Sequence, residues 1–191
     1  MAETSELTRE VAGKPFPHPG TYAIDKAHTI VGFVARHLVV TKVRGQFNDF
    51  EGTVVVGDTP ESSSVNVAVD VTSIDTREEM RDNHLRSPDF FDTENHPKMT
   101  FASTKIEPAG DSWRVTGDLS LRGVTRPITL DVEFNGATQD PWGGTRLGFS
   151  AEGELTREDF GVSFNAATEA GGLVVGSKVK LDIEAELVLQ P

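Results

Sequence analysis

Long stretches of this chain alternate strictly between apolar and polar residues. Val65-Asn66-Val67-Ala68-Val69-Asp70-Val71 is one such run, and Lys180-Leu181-Asp182-Ile183-Glu184-Ala185-Glu186-Leu187 is another. Successive strand side chains point to opposite sheet faces, so each run has one apolar face and one wet face. The pattern predicts strands over 21–25, 28–40, 46–56, 65–74, 98–106, 113–121, 128–134, 146–155 and 178–189, about eight strands of substance. Turn signals separate them: Lys42-Val43-Arg44-Gly45 after the first long strand, and Gly57-Asp58-Thr59-Pro60 with Ser62-Ser63-Ser64 before the run at Val65.

The period changes once. Thr76 followed by Glu79 has the spacing of a capping box, which predicts a short helix over 77–85. Ser87-Pro88 suits the start of a second turn, Phe90-Phe91 follow, and His96-Pro97 bounds the next strand. A chain built this way has to curl around its apolar faces. The inward set is Val31, Phe33, Val67, Val69, Phe101, Leu119, Leu130, Val132, Leu147, Phe149, Leu181, Ile183 and Leu187, interleaved with Ala35, Gly117, Ala151, Gly153 and Ala185. Eight-stranded closed barrels hold one small ligand and remove exposed strand edges. Alternation alone fits a filled sandwich as well as a hollow barrel.

Composition narrows the function classes. With 191 residues there is room for one sizeable domain, and 30 acidic against 18 basic residues give a net charge of −12. Nucleic-acid binding is disfavoured, because phosphate neutralisation needs clustered Lys and Arg. General adhesion to anionic membranes is disfavoured for the same reason. No cysteine is present, which excludes disulfide and thiolate chemistry. Residues 1–20 are polar and proline-punctuated, with neither a signal-like apolar run nor a membrane span anywhere in the chain. They are expected to form a flexible arm ahead of a 21–191 barrel domain in a cytoplasmic protein.

Ordered motifs carry a resemblance. Ile24-Asp25-Lys26-Ala27-His28-Thr29-Ile30-Val31-Gly32-Phe33 with His37-Leu38 opens it, and Val43-Arg44-Gly45-Gln46-Phe47 with Phe50-Glu51-Gly52 continues it. Arg81-Asp82-Asn83-His84-Leu85-Arg86-Ser87, Asp89-Phe90-Phe91-Asp92, Leu119-Ser120-Leu121-Arg122-Gly123-Val124-Thr125-Arg126-Pro127 and Asp159-Phe160-Gly161 complete it. This series resembles the YceI-like polyisoprenoid-binding proteins over roughly 20–189. The resemblance implies an all-β fold: an extended, eight-stranded, antiparallel lipocalin-like barrel with a short helical insertion near its mouth. It also implies an apolar cavity for a long-chain isoprenoid, such as a prenyl pyrophosphate or an isoprenoid quinone, or another amphiphilic lipid. No cofactor or metal is implied. Many relatives look periplasmic with signal peptides, and the polar arm departs from that pattern.

The candidate ligand contacts are Val31, Phe33, Val67, Val69, Phe90, Phe101, Leu119, Phe149, Phe160 and Ile183, with His37 at the polar end of its strand face. Arg77, Arg81 and His84 have spacings that share one helix face and would suit a pyrophosphate. Ordinary helix ion pairing with Glu78 and Asp82 is the plainer reading of that cluster. His28 at a turn reads first as a residue bonding local backbone. No metal-ligand pair on a helix, nucleophile elbow or phosphate loop is present, so a non-enzymatic carrier or sequestering role is expected. Two other readings stand beside it: a stress-related scaffold with a collapsed cavity, and a lipid-modifying enzyme with His37 and an acid converging inside the barrel. A homodimer through one barrel wall is also compatible.

Overall fold

The computed structural model describes residues 7–167 and 173–191. A hairpin of β1 (Thr8–Val11) and β2 (Lys14–Pro17) precedes β3 (Gly20–Ile24), β4 (Ile30–His37), β5 (Thr41–Phe47), β6 (Phe50–Val56), β7 (Ser64–Asp70) and the short β8 (Ile74–Asp75). After the helix α1 (Glu79–Arg86) come β9 (Lys98–Ala109), β10 (Ser112–Leu121), β11 (Val124–Gln139), β12 (Thr145–Thr156) and β13 (Val175–Leu189). All pairings among these strands are antiparallel.

The ring β12-β11-β10-β9-β7-β6-β3-β13 closes through β12 and β13, giving an eight-stranded barrel. β4 continues the stave begun by β3: Ile24 pairs with Leu187 and Ile30 with Glu184, so Asp25–Thr29 bulges out of the wall. β5 extends the neighbouring stave in the same way and carries β8 on its far edge. Closure satisfies the edge hydrogen bonds that such long apolar-faced strands would otherwise expose.

Four expectations need correction. The first long strand ends at His37, the turn is Leu38–Val40, and Lys42-Val43-Arg44-Gly45 lies within β5. The run from Val65 stops at Asp70, whose carboxylate accepts from the Thr72 N–H and hydroxyl and so bends the chain into a short 3-10 turn. The capping box does not form. Thr76 instead binds the buried Asp82 carboxylate through its N–H and hydroxyl, and Glu78 caps α1 by accepting from the Met80 and Arg81 amides. Finally, the described part of the expected flexible arm is hairpin, not coil, and buries Phe16 and Pro17. Among the described residues, no helix is long and apolar enough to cross a membrane.

Candidate functional site

The barrel encloses a cavity of about 310 Å³. Trp113, near the start of β10, and Leu121, at its end, both line it. At roughly 3.4 Å per residue it therefore follows the strand for about 27 Å. A strand tilt of 35–45° reduces that to roughly 20 Å along the barrel axis. Val31, Phe33, Val67, Val69, Phe90, Phe101, Leu119, Phe149 and Ile183 are all on the lining, brought together from six strands and the segment after α1.

Polar lining is sparse, and its hydrogen bonds are already made. Apart from the Trp113 indole, the polar side chains are Thr29, Ser63 and Arg157. The Thr29 hydroxyl donates to Glu186 O and accepts from Glu186 N–H across the wall bulge. Ser63 donates to Thr59 O and accepts from Gly57 N–H. The buried Arg157 guanidinium donates to the carbonyls of Val162, Phe164, Val175 and Gly176 and lies 3.4 Å from Glu158. Among the described residues no histidine or carboxylate lines the cavity. Such a space rewards an apolar chain and offers nothing to a polar head.

Glycines help keep the lumen open. Gly45 lies directly across from Phe33, and a Cβ there would overlap the Phe33 ring. Gly117, paired with Ser103, lies diagonal to Phe101, and a Cβ there would likewise overlap the Phe101 ring. Each aromatic side chain thus lies back against bare backbone on the adjacent strand instead of projecting across the barrel.

The cavity has two different ends. At one, the β1–β2 hairpin packs Phe16 against Trp113 with ring centroids 4.8 Å apart, in a cluster with Tyr22, Val56 and Leu147. Arg9 donates to the carbonyls of Pro17, Asp58 and Gly57, and Lys14 to Ser112 O, so the hairpin is tied to the loops beneath it. At the other end, Leu85 of α1, Phe90 and Phe91 line the cavity beside Val162 and Val175. The β4–β5 turn lies at this end too, since His37 pairs with Val175.

The expected cationic head-group site is not assembled. Arg77 precedes the helix with φ of 64°, so it does not share a face with Arg81 and His84. Arg81 donates to the Thr76 hydroxyl and carbonyl at 2.6 and 2.7 Å, which commits it to holding the α1 entry. His84 bonds Asp89 at 2.8 Å and lies edge-on to Phe90 and Phe164. None of the three lines the cavity, and neither do His37 and Phe160. His37 sits one alternation beyond the last lining position of β4, Ala35, while Phe160 is buried in the packing behind Phe90 and Leu119. Reading by residue pattern missed Phe16, Trp113 and Val162; the alternation of β10 was the available signal for Trp113.

Outside the wall, the Asp25–Thr29 bulge carries the strongest electrostatic arrangement. Arg146 Nη1 lies 2.6 Å from Asp25 and 2.5 Å from Glu186, and its Nε lies 2.9 Å from Asp140. His28 Nδ1 is 2.9 Å from Asp25. Hydrogen bonds from His28 and then Arg146 hold the Asp25 carboxyl down at about 2, and Asp25 in turn raises the His28 pKa. Asp25, His28 and Glu186 are close enough to ligate a metal ion. The guanidinium already supplies the cation there, which makes the cluster a brace for the bulge.

Comparison with known proteins agrees with this architecture. The YceI-like domain model matches residues 22–187. Protein YceI of Shigella flexneri is 44% identical over 172 residues, covering 88% of this chain and 87% of its own. The crystal structure of the Campylobacter jejuni YCEI protein superposes with a TM-score of 0.70 at 32% identity, covering 87% of this chain and 96% of that one. A polyisoprenoid binding domain from Saccharophagus degradans shares the fold, with a TM-score of 0.68 at 15% identity over 91% of this chain and all of its own.

Proposed function

This chain belongs to the YceI-like domain family, and on that premise we propose that its barrel binds a long-chain isoprenoid lipid by the tail, as a carrier or sequestering protein. The observation that carries the reading is the apolar cavity, elongated along the barrel axis, whose few polar side chains are already hydrogen-bonded. Each buried methylene contributes roughly 0.8 kcal/mol, offset in part by the cost of immobilising a flexible chain. The polyisoprenoid-binding neighbour supports the choice of tail. No reacting group is needed, because the task is removal of an apolar chain from water.

The head group is assigned to the cavity end or to solvent, since Arg81 and His84 are occupied elsewhere. Titration with a prenyl alcohol, a prenyl pyrophosphate and an isoprenoid quinone of equal tail length tests this. Affinities within about tenfold of one another, falling steeply as the tail is shortened, are expected. Failure of all three to bind would overturn the reading. Strong binding of the pyrophosphate alone would return the head-group site to the α1 region.

A further inference from the structure

The β4–β5 hairpin combines three features found together nowhere else on the described surface. Its turn exposes three consecutive apolar residues, with 77% of Val39 and 76% of Val40 accessible beside Leu38. Leu173 is exposed next to them, where the Leu38 N–H donates to Val174 O.

The same turn is strained. Leu38 and Val39 have φ of 51° and 66°, the left-handed region that suits Gly or Asn. A β-branched residue is among the poorest choices there. Local stability would favour Asn-Gly, so the apolar pair is kept against the backbone's preference.

Charge is the third feature. Between Asp25 and Asp49 the chain has no acidic residue, although the whole protein carries −12. On the outer face Arg36 stands directly opposite Lys42, with Arg44 two residues further along β5. All three are exposed, and among the described residues none makes an ion pair. Like charges directly opposite each other destabilise a strand pair. Along β12 and β13 the lysines instead reach carboxylates diagonally, Lys180–Glu152 at 2.8 Å and Lys178–Glu154 at 2.5 Å, and the like charges that do stand opposite there, Asp131, Glu152 and Asp182, are acidic.

We propose that this hairpin tip docks on an anionic lipid bilayer. Leu38, Val39 and Val40 enter the boundary between headgroups and acyl chains, while Arg36, Lys42 and Arg44 spread their stems over it and meet lipid phosphates. An acid-free patch on a strongly acidic protein is complementary to such a surface. A second copy fits less well, because a two-fold contact would set the basic hairpin against itself. Docking also brings one end of the cavity to the membrane, since Phe33 and Ala35 on the inner face of β4 line it and His37 pairs with cavity-lining Val175.

Co-sedimentation of the full chain with vesicles tests the proposal, read separately from cavity occupancy. Binding is expected to vesicles of mixed phosphatidylglycerol and phosphatidylcholine, to weaken at high salt, and to be lost on phosphatidylcholine alone. Replacing Arg36, Lys42 and Arg44 together with Ser should weaken it roughly 100-fold. The double variant Leu38→Asn with Val39→Gly should lose at least about tenfold in binding while its Tm rises by about 2–4 °C. A more stable protein that binds less well cannot be explained by misfolding. Absence of wild-type binding to anionic vesicles at low salt, or undiminished binding by the Asn-Gly variant, would overturn the proposal. A concentration-dependent dimer abolished by the Asn-Gly change would overturn it in favour of a second copy.

Discussion

The two ends of the barrel are made differently. At the β1–β2 end, Phe16 and Trp113 are buried against each other with their rings tilted by 55°, and the cationic heads of Arg9 and Lys14 lie over them while bonding loop carbonyls. Apolar packing and polar ties point to the same arrangement there. At the α1 end the cavity meets Leu85, Phe90 and Phe91, and the adjoining β4–β5 turn leaves its apolar residues in water. One end is a stopper and the other carries surface that the fold itself does not use. Stability and function are therefore expected to separate along the barrel axis.

The largest effect belongs to the stopper. Trp113→Ala should cost about 3–5 kcal/mol by leaving a cavity that the hairpin cannot fill, measured by urea unfolding. A loss below about 1 kcal/mol would mean that the hairpin is not part of the folded core. At the α1 end, Arg81→Ala should cost about 1–3 kcal/mol, because the Thr76 carbonyl loses its charged donor. Its relative affinity for prenyl pyrophosphate and quinone should stay the same. A selective loss of the pyrophosphate would make Arg81 a head-group ligand and blur the distinction between the ends.

The smallest effect lies on the outer brace. The His28 pKa is raised mainly by its hydrogen bond to Asp25. The stability from that pair is fully present below about pH 6.5 and is lost as pH rises through the raised value. For Asp25 the sign is reversed: its contribution is present above about pH 4 and is lost as pH falls through the folded value of about 2. His28→Gln should flatten the change in Tm above pH 6.5. An unchanged profile would show that the pair is not formed in solution.

Much of the barrel was legible because strand alternation is a direct readout of which side chains face inward. Val31, Phe33, Val67 and Ile183 were assigned that way and line the cavity. Three things were hidden. Leu38-Val39-Val40 reads as strand because its residues favour strands; only backbone torsions reveal a turn. Pro15 and Pro17 make the β1–β2 segment look like coil, yet proline is tolerated in a two-stranded edge hairpin. The spacing of Arg77, Arg81 and His84 fits a helix face, but Asp82 recruits Thr76 and the helix starts too late to include Arg77. Periodicity records faces, not which carbonyl claims a guanidinium. For the same reason it could not separate a filled interior from a hollow one.

Hollowness is the central claim, and Ala151 tests it. This residue lines the cavity midway along β12, paired with Val132 and Ile183. Ala151→Phe in a filled core would cost about 1–3 kcal/mol through overpacking; in a hollow one it occupies empty space. Mass spectrometry of organic extracts, from gently purified wild-type and Ala151→Phe proteins each supplied with an isoprenoid quinone, is the decisive measurement. Lipid is expected with the wild type, little or none with the variant, and an unchanged or higher Tm for the variant. Equal lipid in both, or none in either, would contradict it.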